Sequence, residues 1–416
     1  SEMCIRDRDK GEIQMIERPL YLQKLFSFRD KPVIKVITGI RRCGKSSILK
    51  TFAERLQQEG VASNRLIQIN FEDLRYDNMD YQGLNKMLLD LLPPGDDKVY
   101  IFLDEIQRVP GWEKVANSLQ LNPRIDLYLT GSNAYLLSSE LSTYLSGRYV
   151  EIKMLPLSFK EFLTFYTFPE NMPNPEKFSL YLRFGGMPSL MDYNFNETQS
   201  GEMLDSIYNT VLMKDIISRD TVKDVMVLQR TVRFLADNIG NMTSINKITN
   251  TLVDEKSLSF KNNKLVESYV SLLKNAFIFY QADRYDIKGK ELLRSREKYY
   301  IVDSGLRTYL LGRVSDTGRL LENIVYFELL RRGYTVTVGK IDDKEVDFVA
   351  TKMNDKKYVQ VTETMAGEET RERELTPLRL IRDNFEKIVL TADVLFTGTT
   401  DDGIKIVNVV DWLLAD

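Results

Sequence analysis

The sequence predicts an α/β protein whose N-terminal part is built on a parallel sheet that carries a phosphate-binding loop. Between residues 15 and 156, apolar strand-like segments alternate with amphipathic helical segments, which is typical of a parallel sheet covered on both faces. The glycine-rich segment GIRRCGKS follows the predicted strand VIKVITG and opens a predicted helix. A later apolar strand, YIFLDE, ends in two acidic residues. Together these three observations define the fold class.

The length and composition indicate an ordinary folded protein of several domains. A chain of 416 residues is too long to fold around a single hydrophobic core, so about two to four domains are expected. Its content of 43% hydrophobic and 28% charged residues is close to that of globular proteins. The net charge of −3 provides no overall basic field for nucleic acid, although one domain can still carry a basic face.

Residue types that are missing or rare limit the catalytic chemistry that the chain can perform and indicate its cellular compartment. The sequence contains no histidine, which excludes histidine bases, histidine triads and histidine metal ligands. The two cysteines, Cys4 and Cys43, are far apart and favour a reducing compartment, so we expect a cytoplasmic protein. The longest apolar stretches, such as VYIFL, are too short for a membrane span, and no signal-peptide pattern opens the chain.

Changes in the hydrophobic pattern divide the chain into segments. Residues 1–14 are charge-dense and aperiodic, so they are predicted to be a tail outside the native fold. The sheet-forming segment covers 15–156, and a mostly helical segment follows at 157–220. Residues 221–302 show three helical segments and then two β-rich ones, the order of a winged helix-turn-helix. Residues 303–416 predict a separate, small α/β domain.

The segment from Gly39 to Ser46 fits the pattern G-x-x-x-x-G-K-[ST] of a P-loop, which encloses phosphate groups. Gly39 and Gly44 allow the backbone to fold around phosphate oxygens, where a Cβ atom would obstruct it. Lys45 is predicted to contact the β and γ phosphates of a nucleotide, and the Ser46 hydroxyl is predicted to bind Mg²⁺. The predicted nucleotide-binding residues are Gly39, Ile40, Arg41, Arg42, Cys43, Gly44, Lys45, Ser46 and Ser47.

Two further strand ends are predicted to complete this site. Asp104, at the end of YIFLDE, is expected to hold Mg²⁺, and Glu105 is expected to orient or deprotonate the attacking water. At the end of the strand LYLTG, the polar residues Thr130, Ser132 and Asn133 are placed to contact the γ-phosphate or its water. The alternative is that these residues only cap the following helix.

One arginine is a candidate for catalytic assistance between subunits. Arg148, in LSGRYVEI, precedes a predicted strand and is placed to reach a neighbouring subunit's nucleotide as an arginine finger. The alternative is a surface arginine near the C-terminus of a helix. The first role requires a homo-oligomer, which the sequence does not establish.

The first 165 residues resemble the AAA+-type ATPase domain of a large bacterial and archaeal family, through GIRRCGKSS, IFLDEIQ, LTGSN, LSGRYVEI and PLSFKEF in this order. The later segments YLRFGGMP, KYYIVDSGLR and LLENIVYFELLRRGY are also similar to that family. The resemblance implies an AAA+ core at 15–156, a helical lid at 157–220, a winged helix at 221–302 and a restriction-endonuclease-like domain at 303–416. It also implies ATP, rather than GTP, as the nucleotide.

A restriction-endonuclease-like fold implies a site in which acidic residues and a lysine hold metal and activate water. Glu322, Asp347 and Gln360 match this site by type and order, but Thr362 stands where the lysine is expected. A hydroxyl cannot supply the charge of an ammonium group, so nuclease activity is not expected. The lysines nearest along the chain, on a predicted connecting hairpin, are Lys352, Lys356 and Lys357.

The predicted winged helix carries cations at two places that suit DNA contact. Its third helix begins with Lys261, Asn262, Asn263 and Lys264, types that bind phosphates and base edges. The cations of the predicted wing are Arg284, Lys288, Lys290, Arg294, Arg296 and Lys298. Acidic neighbours leave a protein-binding role equally open, and these are Asp254, Glu255 and Glu267.

The leading hypothesis is an AAA+ or STAND-like ATPase that couples the binding and hydrolysis of Mg-ATP to the engagement of DNA or a protein partner. One alternative is an ATP-gated, metal-dependent nuclease. Another is a nucleotide-dependent signalling scaffold that does not bind DNA. The sequence does not specify the pathway, the target or the number of subunits.

Overall fold

The computed structural model describes residues 4–6, 13–15, 17–134, 147–217, 222–258, 261–314 and 316–415. The chain forms two compact units. The first comprises the chain up to Pro156 together with the short segment Asn275–Phe277. The second comprises Leu157–Lys274 and Ile278–Asp416. Within the described ranges, no helix is both long and apolar enough to cross a membrane.

A short hairpin forms in the segment that was predicted to be a tail. Strands β1 (Cys4–Arg6) and β2 (Ile13–Met15) pair antiparallel. Secondary structure therefore forms in this segment, while its assignment as a tail outside the native fold stays a prediction. Three residues per strand are too few to show an alternating pattern, so the sequence carries no periodic signal there.

The first unit is built on a five-stranded parallel sheet, which confirms the predicted core. Its strands are β3 (Ile34–Thr38), β4 (Leu66–Asn70), β5 (Val99–Asp104), β6 (Ile125–Gly131) and β7 (Tyr149–Lys153). Its described α-helices are α1 (Pro19–Ser27), α2 (Lys45–Gln58), α3 (Tyr81–Asp90) and α4 (Trp112–Gln120), and shorter 3₁₀ helices cover Ser63–Arg65, Leu74–Tyr76 and Ile106–Arg108. The strand order is β4-β5-β6-β3-β7, with every pairing parallel.

Burial on both faces explains the continuous apolar composition of the central strands. β5 and β6 are buried at every position. Leu88 of α3 and Leu119 of α4 pack in one cluster with Val36, Ile101 and Leu129 of the sheet. Burying one such side chain contributes about 1.5–3 kcal/mol, so this cluster holds the sheet rigid beneath its loops. Because all strands run the same way, the loop after β3 and the acidic end of β5 lie at the same edge.

The second unit begins with helices. They are α5 (Phe159–Phe165), α6 (Asn174–Phe184), α7 (Glu197–Thr210), α8 (Val225–Asp237), α9 (Ile245–Asp254) and α10 (Asn263–Asn275). A 3₁₀ helix covers Pro188–Tyr193, and a π-helix covers Val211–Ile217. Asp224 and Ser244 begin α8 and α9 by accepting a hydrogen bond from a backbone N–H of the first turn.

An eight-stranded sheet completes the second unit. Its strands are β8 (Phe279–Asp286), β9 (Glu291–Ile301), β10 (Thr335–Ile341), β11 (Lys344–Lys352), β12 (Asp355–Thr362), β13 (Glu386–Thr391), β14 (Gly398–Thr399) and β15 (Lys405–Asn408). The helices between and after them are α11 (Ser304–Leu311), α12 (Thr317–Arg331), α13 (Glu368–Arg379) and α14 (Val409–Leu414). The strand order is β14-β15-β13-β12-β11-β10-β8-β9.

This sheet joins two segments that the sequence divided at residues 302 and 303. The predicted wing hairpin, β8 and β9, continues into the C-terminal strands because β8 pairs parallel with β10, with Arg284 opposite Val338. The proposed boundary therefore cuts one hydrogen-bonded sheet. The sequence pattern shows each strand but not its partner, since pairing depends on contacts between residues far apart along the chain.

The glycine-rich segments RFGGMP and VDSGLR meet inside the second unit. The buried Asp303 carboxylate accepts hydrogen bonds from the Gly186 N–H at 2.7 Å and the Leu306 N–H at 2.9 Å. A Cβ atom on Gly185 would lie 2.3 Å from this carboxylate, and one on Gly305 would lie 2.0 Å from a backbone oxygen. Burial raises the pKa of Asp303 to about 6, although the backbone donors oppose the shift. These glycines are thus needed for close packing.

Candidate nucleotide site

The loop after β3 has the backbone conformation that its glycines make accessible. Gly39 has a φ of +151° and Gly44 a φ of +97°, values that residues with a Cβ atom rarely adopt. A Cβ atom on Gly39 would lie 2.2 Å from the backbone oxygen of Met154. Helix α2 begins directly after Gly44, and the free N–H groups of a helix N-terminus attract anions.

The Lys45 side chain lies inside this loop. It is 5% exposed, and its ammonium group donates to the backbone oxygens of Gly39 at 2.9 Å and Ile40 at 3.0 Å. Both acceptors are neutral carbonyl groups, so these hydrogen bonds do not themselves balance the positive charge, which also attracts the Asp104 carboxylate. A phosphate group is the kind of anion that would balance it.

Ser46 and Asp104 approach each other from two elements of the first unit. The Ser46 hydroxyl at the start of α2 hydrogen-bonds to the Asp104 carboxylate at the end of β5, which also accepts from the Thr130 hydroxyl. Burial raises the pKa of Asp104, while the hydrogen bonds from Thr130 and Ser46 act in the opposite direction. Adjacent hydroxyl and carboxylate oxygens are donors that Mg²⁺ prefers, so this pair fits the predicted metal ligands.

Glu105 has a left-handed backbone directly after β5. Its φ is +53°, and a non-glycine residue held in such a conformation costs about 1–3 kcal/mol. Its N–H donates to Thr130 Oγ1 at 2.9 Å, and its carboxylate accepts from Ser132 Oγ at 3.2 Å and from Gln107 Nε2. The carboxylate, in a side chain that is 6% exposed, is therefore fixed at the same edge as Lys45 and Asp104.

Polar residues at the end of β6 complete this edge. Thr130 and Ser132 are fully buried, and Asn133 is 1% exposed. The first two contact the acidic residues directly, as described above, and Asn133 follows them along the chain. The alternative prediction, that they cap the next helix, involves residues 135–146, which lie outside the described ranges.

The other predicted loop residues differ in exposure. The side chains of Ile40 and Cys43 are buried in the core, so they offer a ligand only their backbone groups. Arg41 forms an ion pair with Glu72 at 3.2 Å, and Arg42 is exposed with a φ of +67°. Ser47 is half-buried in the first turn of α2.

Arg148 is not close to this site in the same chain. It is exposed and precedes β7, and its backbone oxygen accepts the N–H of Ile34 at 2.9 Å. Ile34 begins β3 whereas Gly39 follows its end, so Arg148 lies at the opposite edge of the sheet. A strand of five residues spans about 16 Å. An arginine finger from Arg148 would therefore have to act on another copy of the chain.

Arg18 contacts the loop and was not predicted as a site residue. Its side chain is fully buried and donates to the backbone oxygens of Cys43 at 3.1 Å, Leu155 at 2.9 Å and Pro156 at 3.3 Å. Its guanidinium carbon lies 4.6 Å from the centre of the Tyr21 ring. A lone arginine at the start of the apolar helix RPLYLQKLF is the only sequence signal for this role, and it is a weak one.

The cations of the predicted wing do not form one basic surface. Lys298 is 2% exposed and contacts Glu322, because the hairpin packs against α12, so its assignment to an exposed wing is wrong. Lys288 pairs with Asp342 at 2.6 Å. Lys290 and Arg296 are exposed and Arg284 is half-buried, whereas the side chain of Arg294 is outside the described part.

At the start of α10, the predicted recognition helix, two asparagines form hydrogen bonds within the protein and two lysines are exposed. Asn262 accepts a hydrogen bond from the Leu265 N–H at 3.1 Å, as a helix cap does. Asn263 donates to the side chain of Asn246 at 3.0 Å. The remaining cations, Lys261 and Lys264, are exposed.

The residues predicted for a nuclease-like site do come together. The Asp347 N–H donates to the Gln360 side-chain oxygen at 3.2 Å, and Glu322 and Asp347 contact a common lysine. That lysine is Lys298, which the sequence analysis placed elsewhere. The lysines that were considered have other partners: Lys352 donates to a backbone oxygen, Lys356 lies over aromatic rings and Lys357 pairs with Glu386.

Two family models match parts of the chain. Residues 31–163 match a AAA domain, a range that includes the loop, Asp104, Glu105 and all five strands of the first sheet. Residues 175–317 match a domain of unknown function (DUF8612), which crosses both of the predicted boundaries at 220 and 302. The first unit is therefore an AAA-type P-loop fold.

Solved structures of related fold resemble the chain only weakly. The Aeropyrum pernix ORC1 protein in complex with DNA gives a TM-score of 0.32 at 14% identity, covering 77% of this chain and 94% of that one. AMPPCP-bound DnaA from Aquifex aeolicus also gives 0.32 at 14% identity, covering 62% and 91%. These TM-scores are too low to support an argument about function.

Full-length relatives are much more similar. An uncharacterized protein of Haemophilus influenzae is 44% identical over 405 residues, which cover 96% of this chain and 99% of that protein. The uncharacterized protein MJ1544 of Methanocaldococcus jannaschii is 30% identical over 402 residues, covering 91% and 87%. The chain, with its AAA domain, therefore belongs to the same protein family as these two relatives.

Proposed function

We propose that this protein binds Mg-ATP at the loop between β3 and α2 and hydrolyses it. The observation that supports this most is the meeting of Lys45, Ser46, Asp104 and Glu105 at one edge of a parallel sheet. Each of these residue types suits a different part of the same reaction. The AAA domain match over residues 31–163 supports the same function.

Each of these side chains has one role in the proposed reaction. Lys45 gives up its contacts with two carbonyl oxygens and donates to the β and γ phosphates. Ser46 and Asp104 would hold Mg²⁺, which when bound neutralises charge on those phosphates. The Glu105 carboxylate has about four lone-pair directions, of which Ser132 and Gln107 occupy two, so it can still accept from a water.

We also propose that the nucleotide state controls how the second unit engages DNA or a protein partner. Arg18 supports this coupling because it joins Cys43 of the loop to Leu155 and Pro156, after which the chain enters the second unit. A loop that moves on binding phosphate would pull on this arginine. The three hydrogen bonds of Arg18 are 3.3 Å or shorter, and its side chain is fully buried.

The direct test is ATP turnover by the purified full chain, measured as phosphate release with Mg²⁺ and after the metal is removed with EDTA. We expect turnover that falls by about tenfold or more without the metal, because the phosphate charge is then unscreened. Turnover of equal rate under both conditions would contradict the proposed roles of Ser46 and Asp104.

Exposed Lys261 and Lys264 at the start of α10 favour DNA as one partner, as does the order of three helices and a hairpin from α8 to β9. DNA affinity measured across salt concentrations tests this. Replacing both lysines by alanine should lower the slope of log affinity against log salt by about 2. Affinity that does not depend on salt would favour a protein partner instead.

Arg148 is proposed to act between copies of the chain. Mixing Arg148→Ala, which keeps its loop, with Lys45→Ala, which keeps its arginine, should restore part of the turnover that each lacks. Absence of any restoration, together with turnover that is independent of protein concentration in the parent, would remove this role.

A further inference from the structure

A buried lysine in the sheet of the second unit is surrounded by acidic groups. Lys298, on β9, is 2% exposed. Its ammonium nitrogen lies 2.6 Å from Glu345, 2.8 Å from Glu322 and 3.5 Å from Asp347. One carboxylate comes from α12 and two come from β11. A positive charge is thus held between elements that are far apart in sequence.

Further hydrogen bonds within the protein reach this cluster. The Glu322 carboxylate accepts from the Tyr300 hydroxyl at 2.6 Å, and the second Asp347 oxygen accepts from the Val361 N–H at 2.9 Å. The Gln360 oxygen accepts from the Asp347 N–H at 3.2 Å, while its amide nitrogen donates to Glu374 at 2.9 Å. Each of these polar groups therefore already has a partner within the protein.

The backbone around this cluster follows the order that a restriction-endonuclease-like domain would have. Helix α12 precedes β10, β11 and β12, which pair antiparallel, and α13 leads to β13, which pairs parallel with β12. Glu322, Asp347 and Gln360 occupy the positions at which such a domain would bind a divalent cation. The fold therefore raises the question whether these residues fit a metal.

They do not fit one. A divalent cation needs oxygen atoms that are free to coordinate it. One oxygen of Glu322 and one of Asp347 are already directed at the ammonium group of Lys298, and the second Asp347 oxygen accepts from the Val361 N–H. The amide oxygen of Gln360 is used by a backbone N–H. Thr362, where the resemblance requires a lysine, donates to the Thr364 backbone oxygen at 3.2 Å.

We propose that the ammonium group of Lys298 takes the place of a divalent cation in this carboxylate cluster. The sheet of the second unit then holds a metal-independent anchor rather than a metal-dependent nuclease site. The anchor fixes the β8–β9 hairpin to α12 and β11 through a single charge. This proposal does not depend on ATP hydrolysis at the first unit.

Electrostatics favour a charged lysine at this position. Burial alone lowers the pKa of Lys298, but the attraction of Glu322, Asp347 and Glu345 outweighs it and raises the pKa above its ordinary value. The ammonium form therefore persists throughout the neutral range. Packing is close beside Glu322, since a Cβ atom on Gly240 would lie 2.9 Å from its carboxylate, whereas the Glu345 side chain is 39% exposed.

The decisive variant is Lys298→Met, which keeps an unbranched side chain one atom shorter and removes its charge. Glu322 and Asp347 are then buried without a counter-charge, so we expect the melting temperature to fall by about 10 °C. Mn²⁺ added without nucleotide should restore at least half of this loss, because it enters a position lined by carboxylate oxygens. The matched control is Lys298→Met combined with Asp347→Asn, which should not respond to Mn²⁺.

The unaltered protein provides a second measurement, which decides the matter if Lys298→Met does not fold. We expect no Mn²⁺ binding that depends on Asp347, and no cleavage of plasmid DNA with Mg²⁺ or Mn²⁺. The proposal is overturned by Mn²⁺ binding or plasmid cleavage that Asp347→Asn abolishes. It is overturned equally by a folded Lys298→Met variant that does not respond to Mn²⁺.

Discussion

Lys45 in the first unit and Lys298 in the second are both buried, and their surroundings differ. Lys45 in the first unit donates to two neutral carbonyl oxygens, at 2.9 and 3.0 Å, and attracts the Asp104 carboxylate electrostatically. Lys298 in the second unit contacts three carboxylates, the nearest at 2.6 Å. The hydrogen bonds of Lys45 can thus be exchanged for a phosphate ligand, whereas the charge of Lys298 is balanced by direct contacts with carboxylates of the protein.

This difference separates a binding site from an anchor. A buried charge without a counter-ion is costly, and a protein retains one where a ligand offsets the cost. A buried charge with its full set of partners is a structural element, and its removal destabilises the fold. Burial of a lysine is therefore not sufficient to assign its role, because the role depends on the acceptors around it.

The largest expected effect is a loss of ATP turnover. If turnover did not fall, the contrast between a catalytic first unit and a structural lysine in the second would not hold. Glu105→Gln keeps the shape of the side chain but cannot take a proton, so kcat should fall by about 10³-fold while ATP affinity changes little. Turnover and nucleotide binding would be measured on the same preparation. An unchanged kcat would mean that catalysis does not occur at the first unit as proposed.

The next effect concerns the positive charge of Lys45. Lys45→Ala removes the donor to the phosphates, and ATP affinity should fall by about 100-fold, or ~3 kcal/mol. Lys50→Ala on the exposed face of the same helix is the matched control and should bind ATP normally. If the two variants bound ATP equally, Lys45 would be a structural lysine, as Lys298 is.

A smaller effect is expected from the arginine that supports the loop. Arg18→Met leaves three buried carbonyl oxygens without their donor, so ATP affinity should fall by about tenfold as the loop loses its fixed position. Arg18→Lys should be intermediate, because one ammonium group cannot reproduce the planar fork. Arg55→Met, on the exposed side of α2, serves as the control. Equal affinity in all three would limit Arg18 to a packing role.

The smallest effect tests how the catalytic carboxylate is positioned. Ser132→Ala removes the 3.2 Å hydrogen bond to Glu105, and kcat should fall by about fivefold, the value of one such bond. ATP affinity should stay within twofold of the parent, as it should in the exposed control Ser118→Ala. A parallel loss of affinity would show instead that Ser132 contacts the nucleotide.

Local signals in the sequence predicted the first unit well. The glycines, Lys45 and Ser46 lie within eight consecutive positions, and Asp104 and Glu105 end a strand whose apolar run marks it as buried. Parallel strands then place these segments at one edge without further information. The family match confirms the AAA domain, while the individual roles of these residues stay predictions.

Features that depend on distant partners were missed. Lys298 was not linked to Glu322 and Asp347, which lie 24 or more positions away along the chain, because no spacing rule joins the lysine to them. Arg18 reaches Leu155 across 137 positions. Arg148 lies at the edge of the sheet opposite the loop because of the direction of β7, so its predicted role at a neighbouring subunit's nucleotide stays a prediction. In each case the tertiary structure decides the neighbour.

The pairing of β8 with β10 also determines where the chain can be shortened. A fragment that begins at residue 303 would lack β8 and expose the hydrogen-bonding groups of β10 between Val338 and Lys340. An open strand edge of this kind recruits other chains and leads to aggregation. A soluble fragment of the C-terminal sheet would therefore have to begin before Phe279, with the whole hairpin retained.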